Sequence, residues 1–451
     1  MAKKPLNAKN LAALGADRLA ALLLEITKGN ASAKRRLRLE LAGEDGPAQA
    51  AVEIRKRLTT LAGSQAFIDW QGRNAFAADL DGQRRAIVEQ VGRKDPKIAW
   101  DLIWQFVALA NGIYERCDDS TGRVQGVFHT ACEDLIDLAE SAAPDPVELA
   151  DRLAEALSDD DYGHYPALIS GLAPTLGPSG LRHLKSRISA PGVDGPDIYV
   201  LRHALEQIAD AEGDVDGYIA QHNSRARKVP QIAAQIAHRL LKAGRVDEAW
   251  AAINAADPGG GDRDEYDWEE TRIGILNAMG RQDEAQSFRW QCFTQSLSLD
   301  HLRAYLKQLP DFEDVEAEER AMRHVIGFPD VHMALQFLIL WNSLDHAAKL
   351  VRARAGAIDG DYYELLSPAA DALDARDPLA ATLLRRAMID FTLQAARSKR
   401  YRHAARHLQE CKNLADRIAS FAPHIDHATY VNHLRRDHLR KSAFWDKVGG
   451  K

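Results

Sequence analysis

The chain has 451 residues, of which 46% are hydrophobic and 27% charged, a composition typical of globular proteins rather than of disordered tails. Its length predicts two or three domains or one extended repeat array. The four cysteines are too few and too scattered for a disulfide framework, and the most apolar segment, residues 333–341, is about half as long as a membrane span. We therefore expect a cytoplasmic protein with no membrane partner.

The charged residues are distributed unevenly along the chain. The formal net charge is −7, but residues 1–100 carry an excess of seven positive charges and residues 396–451 an excess of eight, which leaves −22 for the stretch between them. Basic ends around an acidic middle indicate either contact with nucleic acid or ion pairing between the ends and the middle. We favour ion pairing, because it requires no partner.

Apolar residues recur at three- and four-residue spacing along most of the chain, and no stretch shows the alternation typical of a half-buried strand. The pattern predicts an almost wholly helical protein. In the N-terminal third, the predicted helices cover residues 7–28, 33–42 (with Ser32 as cap), 47–62, 65–70, 75–92 and 96–115.

Two changes in composition suggest domain boundaries. The segment SAAPDP at 141–146 is the first clear break, and residues 158–197 are rich in Gly, Pro and Asp. The sequence therefore predicts a basic helical domain at 1–142, connecting helices and loops at 143–199, and helical repeats with a basic tail at 200–451.

A six-residue motif repeats in the C-terminal half of the chain. Gly244-Arg-Val-Asp-Glu-Ala249 recurs 36 residues later as Gly280-Arg-Gln-Asp-Glu-Ala285. Looser copies begin at Asn342 and Lys399, and a degenerate copy begins at Gly213. Each copy lies between two stretches of helical periodicity, which indicates a series of helix pairs.

The motif resembles the tetratricopeptide repeat, in which a turn residue ends helix A and a small residue five positions later lets helix B approach helix A. The resemblance covers roughly residues 200–415. It implies that the turn residues are Gly244, Gly280, Asn342 and Lys399, that the first small residues are Ala249, Ala285, Ala347 and Ala404, and that a second small position holds Ala256, Cys292, Arg354 and Cys411. The expected fold class is all-α, a tetratricopeptide-like α-solenoid preceded by an N-terminal helical domain.

Several phrases also give the whole chain a resemblance to an uncharacterised proteobacterial family of unknown function. They are Glu115-Arg-Cys-Asp-Asp-Ser-Thr-Gly122, Leu299-Asp-His-Leu-Arg-Ala-Tyr-Leu306, Tyr401-Arg-His-Ala-Ala-Arg-His-Leu408 and Lys441-Ser-Ala-Phe-Trp445. This resemblance implies a helical fold and no particular activity.

Two groups of residues have the chemistry of metal ligands. Cys117, His129 and Cys132 form the better one, with Asp118 or Asp119 as a fourth ligand. The competing interpretation is a buried thiol beside a helix-capping loop, and we favour it because Cys117 lacks a close ligand partner.

The second group is His403, His407 and Cys411, which share a helix face at four-residue spacing. Cys411 already fills a small core position of the repeat, and no His-Glu-x-x-His arrangement is present. We therefore expect no metal and no cofactor.

Catalytic motifs are absent from the sequence. It contains no Gly-x-Gly-x-x-Gly, no Walker loop and no Gly-x-Ser-x-Gly elbow, and Gly259-Gly260-Gly261 precedes acidic residues that would repel a phosphate. We expect no enzyme activity and name no catalytic residue.

The leading functional hypothesis is a non-catalytic scaffold or adaptor that binds a protein or peptide in a groove of the repeats, because stacked helix pairs create such surfaces. Candidate groove residues are Gln235, His238, Arg272, Asn277, Gln336 and Trp341. The alternative is a nucleic-acid-associated factor that uses the basic ends, with candidate contacts at Lys34, Arg35, Arg36, Arg38, Arg55, Lys56 and Arg57.

Overall fold

The structure is a computed structural model that describes residues 5–160, 162–163, 165–189, 198–256 and 266–449. In these residues the fold is all-α, as the sequence predicts, with one isolated parallel bridge between Ile68 and Cys117. The chain divides into two compact units, residues 1–225 and 226–451. The predicted Gly259–Gly261 loop lies outside the described residues. None of the described helices combines the length and apolar character needed to cross a bilayer.

One hydrophobic core is shared by the helices between residues 31 and 212. Twelve α-helices are described in the first unit. They are α1 Ala8–Ala12, α2 Ala16–Ile26, α3 Ala31–Glu44, α4 Pro47–Ala62, α5 Arg73–Ala86, α6 Pro96–Val107, α7 Ala110–Tyr114, α8 Arg123–Ala142, α9 Pro146–Ser158, α10 Pro166–Ile188 (interrupted by non-helical Gly177), α11 Ile198–Glu212 and α12 Val215–Ala220. At the core centre, Phe106 of α6 and Phe128 of α8 are buried with ring centroids 5.3 Å apart.

Residues 143–199 belong to the first unit. Helix α9 buries Leu149 and Leu153, and it packs against α10, which in turn packs against α8 and α11. Along the chain, the division between the two compact units falls after residue 225, and the domain boundaries at 142 and 199 stay predictions.

Some predicted helices in the first unit differ from the observed ones at their ends. The helix predicted at 7–28 is broken at Gly15, which adopts a φ of 82° and separates α1 from α2. Asn30 rather than Ser32 caps α3, because the Asn30 Oδ1 atom accepts a hydrogen bond from the Ala33 N–H at 3.0 Å. A π-helix, Ile87–Gly92, continues α5.

The prediction of a helix at 65–70 was wrong. The Ile68 N–H donates to the Arg116 carbonyl at 2.8 Å, and the Asp118 N–H donates to the Ile68 carbonyl at 2.9 Å. The backbone of this segment is therefore paired with residues about fifty positions away, a competition that local periodicity does not reveal.

The second unit is a series of helices in which each packs mainly on its close neighbours in sequence. They are α13 Pro230–Lys242, α14 Val246–Asn254, α15 Tyr266–Ala278, α16 Gln282–Ser296, α17 Leu299–Leu306, α18 Glu313–Gly327, α19 Val331–Leu340, α20 Leu344–Arg354, α21 Tyr363–Leu373, α22 Pro378–Gln394, α23 Tyr401–Ala415, α24 His427–His438 and α25 Ser442–Gly449.

The repeated motif forms the turn between paired helices. Gly244 follows α13 with a φ of 75°, and the Arg245 N–H donates to the Leu240 carbonyl at 2.9 Å. This is the left-handed helix terminus that favours glycine, or less strongly asparagine. Gly280 and Asn342 adopt the same conformation, with φ of 74° and 59°. The turn assignments at these three positions are confirmed.

The copy at Lys399 was placed wrongly. Helix α22 ends at Gln394, and Ala396 adopts the left-handed conformation with a φ of 52°. Lys399 lies instead in a 3₁₀ turn, Ser398–Arg400, that precedes α23. The extra turn shifts the motif by three residues, because the chain must travel further before α23 begins.

The arginine and glutamate of the motif stabilise the start of the second helix. Arg245, at the N-cap of α14, donates from Nε and Nη2 to Glu248 at 2.8 and 2.6 Å. Arg281 and Glu284 repeat this pair at the start of α16, with both distances 2.6 Å. Because both pairs are exposed to solvent, each contributes little to stability, so the motif depends more on its turn and its alanine.

The small positions of the motif lie in the helix–helix contacts. The first small residues, Ala249, Ala285, Ala347 and Ala404, are all buried, as are Ala256, Cys292 and Cys411 at the second position. Arg354 departs from this pattern, because it is not a small buried residue. Its guanidinium donates to the Pro329 carbonyl at 2.6 Å.

We predict that Ala249→Arg destabilises the second unit, because the residue is fully buried between α13 and α14. Overpacking and an unpaired buried charge each cost on the order of 1–3 kcal/mol or more. Ala251→Arg is the matched control, since Ala251 is exposed on the same helix and should change the free energy of unfolding by less than about 0.5 kcal/mol. Urea unfolding followed by far-ultraviolet circular dichroism measures both. Equal effects would contradict the assigned contact.

Candidate functional site

The most unusual polar cluster lies where α15, α16 and α17 meet. Glu269 and Glu270 belong to the first turns of α15, Cys292 lies on α16, and His301 is the third residue of α17. The Ser298 hydroxyl caps α17 by accepting the His301 N–H at 3.3 Å, which fixes the start of that helix. His301 has no exposed surface, and Cys292 is also buried. Four residues from three helices thus form one site, the His301 cluster.

The imidazole of His301 lies between two carboxylates. Its Nε2 atom is 2.8 Å from Glu269 Oε2, and its Nδ1 atom is 3.2 Å from Glu270 Oε1, in a direction poor for a hydrogen bond. The Glu269 side chain is 14% exposed, whereas that of Glu270 is 38% exposed. The Tyr266 ring covers the imidazole at a centroid distance of 5.2 Å.

These neighbours set the charge of the His301 cluster. Burial alone would lower the pKa of His301, but Glu269 and Glu270 outweigh burial and raise it to about 9. The contact with His301 lowers the pKa of Glu270, and burial together with the charge of Glu269 raises the pKa of the Cys292 thiol. Near neutral pH the cluster therefore contains an imidazolium, two carboxylates and a neutral thiol.

The His301 cluster can also hold a cation. Ligand atoms of Glu269, Cys292 and His301 all lie within 4.8 Å of one another. Among the described residues, this is the only group of three or more His, Cys, Asp or Glu side chains close enough to share a metal ion. Nitrogen, sulfur and carboxylate oxygen are the ligand types of zinc sites. Sequence reasoning missed this set, because it assigned Cys292 to the core and the 22 residues between Glu269 and Cys292 contain no metal-binding motif.

The first metal-ligand group suggested by the sequence, Cys117, His129 and Cys132, is not brought together as a site. His129 is 77% exposed and pairs with Glu133 at 3.6 Å, while Cys117 is buried beside the Ile68 bridge. Burial raises the pKa of Cys132 to about 12. Within the described residues, Cys117, His129 and Cys132 do not form a metal-ligand group.

His407 and Cys411 also have other partners. The His407 Nδ1 atom lies 3.0 Å from Glu410 Oε2, and the Cys411 thiol donates to the Thr382 carbonyl at 3.8 Å. His403 is exposed on the same helix. Cys411 is thus a core residue in its repeat position.

The structure brings together most of the basic residues considered for nucleic-acid binding. Five of the seven line one groove of about 420 Å³ between α3 and α4: Lys34, Arg35, Arg38, Lys56 and Arg57. Arg36 lines a different groove between α3 and α5, and Arg55 lines a third beside α6 and α9. We call the first of these the basic groove.

Carboxylates already pair with three cations of the basic groove. Asp79 accepts a hydrogen bond from Arg57 Nε at 3.0 Å and lies 3.5 Å from Arg35, while Glu53 pairs with Lys56 at 2.6 Å. These partners belong to the basic N-terminal hundred residues rather than to the acidic middle of the chain.

The six candidate groove residues of the repeats do not share one environment. Gln235 and His238 are exposed on α13, Gln336 is exposed on α19, and Asn277 is half-buried on α15. Three of these four therefore lie on the neighbouring helices α13 and α15, and the fourth lies further along the chain on α19.

Arg272 and Trp341 are used within the fold. The Arg272 guanidinium lies 4.8 Å from the Trp250 ring centroid and donates to Asn254 Oδ1 at 2.5 Å, so it packs on α14. The Trp341 Nε1–H donates to Glu318 Oε1 at 2.7 Å. Both side chains contribute to packing between helices.

A surface that the sequence did not suggest lies between α17 and α18. An open groove of about 660 Å³ is lined by Tyr305, Leu309, Glu313, Val315, Glu316, Ala317, Glu319, Arg320 and Arg323. Beside it, Phe312 is 85% exposed and Val315 is 59% exposed. We call this the α17–α18 groove.

The fold defines an all-α protein whose second unit is built of successive helix pairs. The model of DUF6880, described as a family of unknown function, matches residues 1–197 and 198–447, and the chain therefore belongs to this family. The expectation of an uncharacterised family is confirmed. No curated protein matches the chain.

We predict that His301→Gln destabilises the second unit by roughly 3–5 kcal/mol, because it leaves the buried Glu269 carboxylate without its counter-charge. The matched control is Asp345→Asn, which breaks a 2.6 Å pair with Arg376 in which both side chains are 59% exposed, and should change the free energy of unfolding far less. Urea unfolding in the presence of a chelator gives both values. A cost for His301→Gln no larger than the control would show that the cluster does not stabilise the fold.

Proposed function

We propose that the protein is a non-catalytic helical-repeat scaffold that binds a basic protein segment with an apolar anchor in the α17–α18 groove. The conformation of Phe312 is the observation that carries the proposal. Phe312 adopts a φ of 76°, a conformation that is an outlier for a bulky residue, and it holds its ring in solvent. Such backbone strain costs on the order of 1–3 kcal/mol and is found preferentially at binding and catalytic sites.

The exposed apolar side chains supply an energetic reason for a partner. Full burial of a phenylalanine side chain contributes roughly 1.5–3 kcal/mol relative to exposure. Phe312 and Val315 stand three positions apart around the start of α18, next to the groove that Tyr305 and Leu309 border. One apolar side chain of a partner inserted there would cover both residues.

The surrounding charge specifies the chemistry of the partner. Six of the nine residues from Asp311 to Glu319 are acidic. Glu318 accepts the hydrogen bond from Trp341, whereas the other five form no ion pair with any described residue within 4.0 Å. The two arginines of the groove offset this charge only in part, because Arg320 lies 4.1 Å from the Trp290 ring centroid and donates to the Tyr305 hydroxyl at 2.9 Å. A basic partner fits this surface.

The repeat-like architecture supports the same class of function. Tetratricopeptide-like helix pairs give an extended surface on which a partner contacts several consecutive helices. We include in the proposal that the second unit is a tetratricopeptide-like solenoid, on the basis of the turns at Gly244, Gly280 and Asn342.

The test is selection of a random peptide display library on the full-length protein. We expect enrichment of peptides with Lys or Arg flanking a large apolar residue. Phe312→Ser combined with Val315→Ser should weaken a selected peptide at least tenfold in fluorescence anisotropy, because it removes the apolar contact. Leu340→Ser is the matched control, since Leu340 is also an exposed apolar residue of the second unit and should leave affinity unchanged.

Charge reversal provides a second readout. Glu313→Lys with Glu316→Lys should lower the association rate and remove most of its dependence on salt. Peptides without basic residues, or peptides that bind the Phe312 and Leu340 variants equally, would overturn the proposal.

A specific observation, the basic groove, favours nucleic-acid binding as the second candidate function. Lys34 and Arg38 form no ion pair with the described residues, so both are available to phosphate. The other three cations of the groove are already paired. We therefore expect only weak binding of DNA or RNA near physiological salt.

Labelled single-stranded RNA and duplex DNA distinguish the two functions. If the basic groove binds phosphate, Lys34→Gln with Arg38→Gln should weaken binding and reduce the slope of log K against log salt by about 1.4–1.8, since each contact releases condensed counterion. Arg36→Gln with Arg55→Gln removes the same charge from α3 and α4, the helices that border the groove, at positions outside it and is the control. Submicromolar affinity with this pattern would replace the scaffold proposal.

A further inference from the structure

We propose that the His301 cluster binds a divalent transition-metal ion of the zinc type, with Glu269, Cys292 and His301 as ligands and Glu270 as the residue that orients the imidazole. This site is independent of the scaffold proposal, because it uses other side chains and would exist whether or not the α17–α18 groove binds a peptide.

The distances permit a metal ion with little rearrangement. Zinc bonds to carboxylate oxygen and imidazole nitrogen are about 2.0–2.2 Å and those to thiolate sulfur about 2.3 Å, which separates tetrahedral ligand atoms by roughly 3.3–3.8 Å. The ligand atoms here lie within 4.8 Å of one another, and His301 Nε2 is 2.8 Å from Glu269 Oε2. Shifts of about 1 Å or less, within reach of side-chain torsions, therefore bring all three atoms to coordinating distance.

The second nitrogen of His301 lies near a carboxylate, as in zinc sites, and a small rotation of the Glu270 carboxylate would bring it into a direction that accepts a hydrogen bond from Nδ1. A ligating imidazole almost always donates its other N–H to a carboxylate or carbonyl, which fixes the tautomer and makes the ligand more basic. His301 Nδ1 lies 3.2 Å from Glu270 Oε1 and has no other partner among the described residues. Nε2 is thereby left for the metal, and the contact to Glu270 needs no new partner when the ion binds.

Charge and burial favour this assignment over a purely structural role. Two carboxylates and a thiolate offset the charge of a divalent ion in a site that is largely removed from water. When the ion binds, the Nε2 proton of His301 and the thiol proton of Cys292 leave to solvent, and the lone pairs they occupied form the bonds to the metal. The mixed nitrogen, sulfur and oxygen donors select zinc-type ions over Mg²⁺ or Ca²⁺, which prefer oxygen alone.

The repeat itself does not create the cluster. Cys411 occupies the equivalent small position of a later repeat and is equally buried, but its thiol faces the Thr382 carbonyl rather than histidine and glutamate. Cys292 is therefore distinguished by its neighbours on α15 and α17, and Cys411 gives a matched control for substitution.

The test is titration of chelator-treated full-length protein with Co²⁺, followed by displacement with Zn²⁺. We expect about one equivalent to bind, with the visible bands of tetrahedral cobalt and a near-ultraviolet thiolate charge-transfer band. Cys292→Ser should abolish the charge-transfer band, and His301→Gln should weaken binding at least a hundredfold. Cys411→Ser should retain every band.

Glu270→Gln separates orientation from ligation. It should weaken Co²⁺ binding by roughly 10–100-fold and leave the charge-transfer band in place, as expected for a residue that acts through the imidazole. Circular dichroism before titration shows which variants remain folded. Absence of cobalt bands in the folded wild-type protein, or a charge-transfer band that survives Cys292→Ser and is lost with Cys117→Ser or Cys132→Ser, would overturn the proposal.

Discussion

The hydrogen bond that closes each left-handed helix terminus determines the arrangement of the second unit. In the first copy the Arg245 N–H donates to the Leu240 carbonyl, which ends α13, and three residues connect it to α14. Helix α14 can then begin at once and lie against α13, so the residue that faces the contact must be small, as Ala249 is. A longer turn would move the second helix away from the first, and a small residue would then no longer be needed at the position of Ala249. The motif therefore repeats because each copy needs the same turn geometry and, as a result, a small residue where the second helix contacts the first.

Interactions between residues close in sequence could be predicted, and those between distant residues could not. The turns at Gly244, Gly280 and Asn342 depend on one positive φ each, a requirement that the residue type itself reveals. The segment around Ile68 pairs instead with Arg116 and Asp118, so its helical periodicity had no predictive value there. The same limit explains the candidate sites. The ligand set of the His301 cluster comes from three helices, and each of its residues taken alone looks like ordinary helix surface or core.

The two charged sites of the second unit differ in how their charges are balanced. In the His301 cluster the imidazolium offsets two carboxylates, of which that of Glu269 is largely removed from water, so loss of this pairing should destabilise the fold. At the α17–α18 groove the carboxylates are exposed, so water stabilises them and no internal partner is required. Solvated charges of one sign contribute little to folding but attract ligands of the opposite sign over about 8–10 Å at physiological salt. Internal pairing therefore suits a structural centre, and unpaired surface charge suits recognition.

Helix α17 connects these two sites physically. It has only eight residues, about 12 Å of helix, with His301 near its beginning and Tyr305 near its end. The imidazole holds the beginning of α17 against α15 and α16, and the Tyr305 hydroxyl accepts a hydrogen bond from Arg320 of α18 at 2.9 Å. Two turns of helix are too short to bend, so an orientation fixed at His301 also fixes the wall of the groove at Tyr305. If the α17–α18 groove binds a partner as proposed, a wall held in place by the polar cluster lowers the conformational entropy that the protein itself loses on binding.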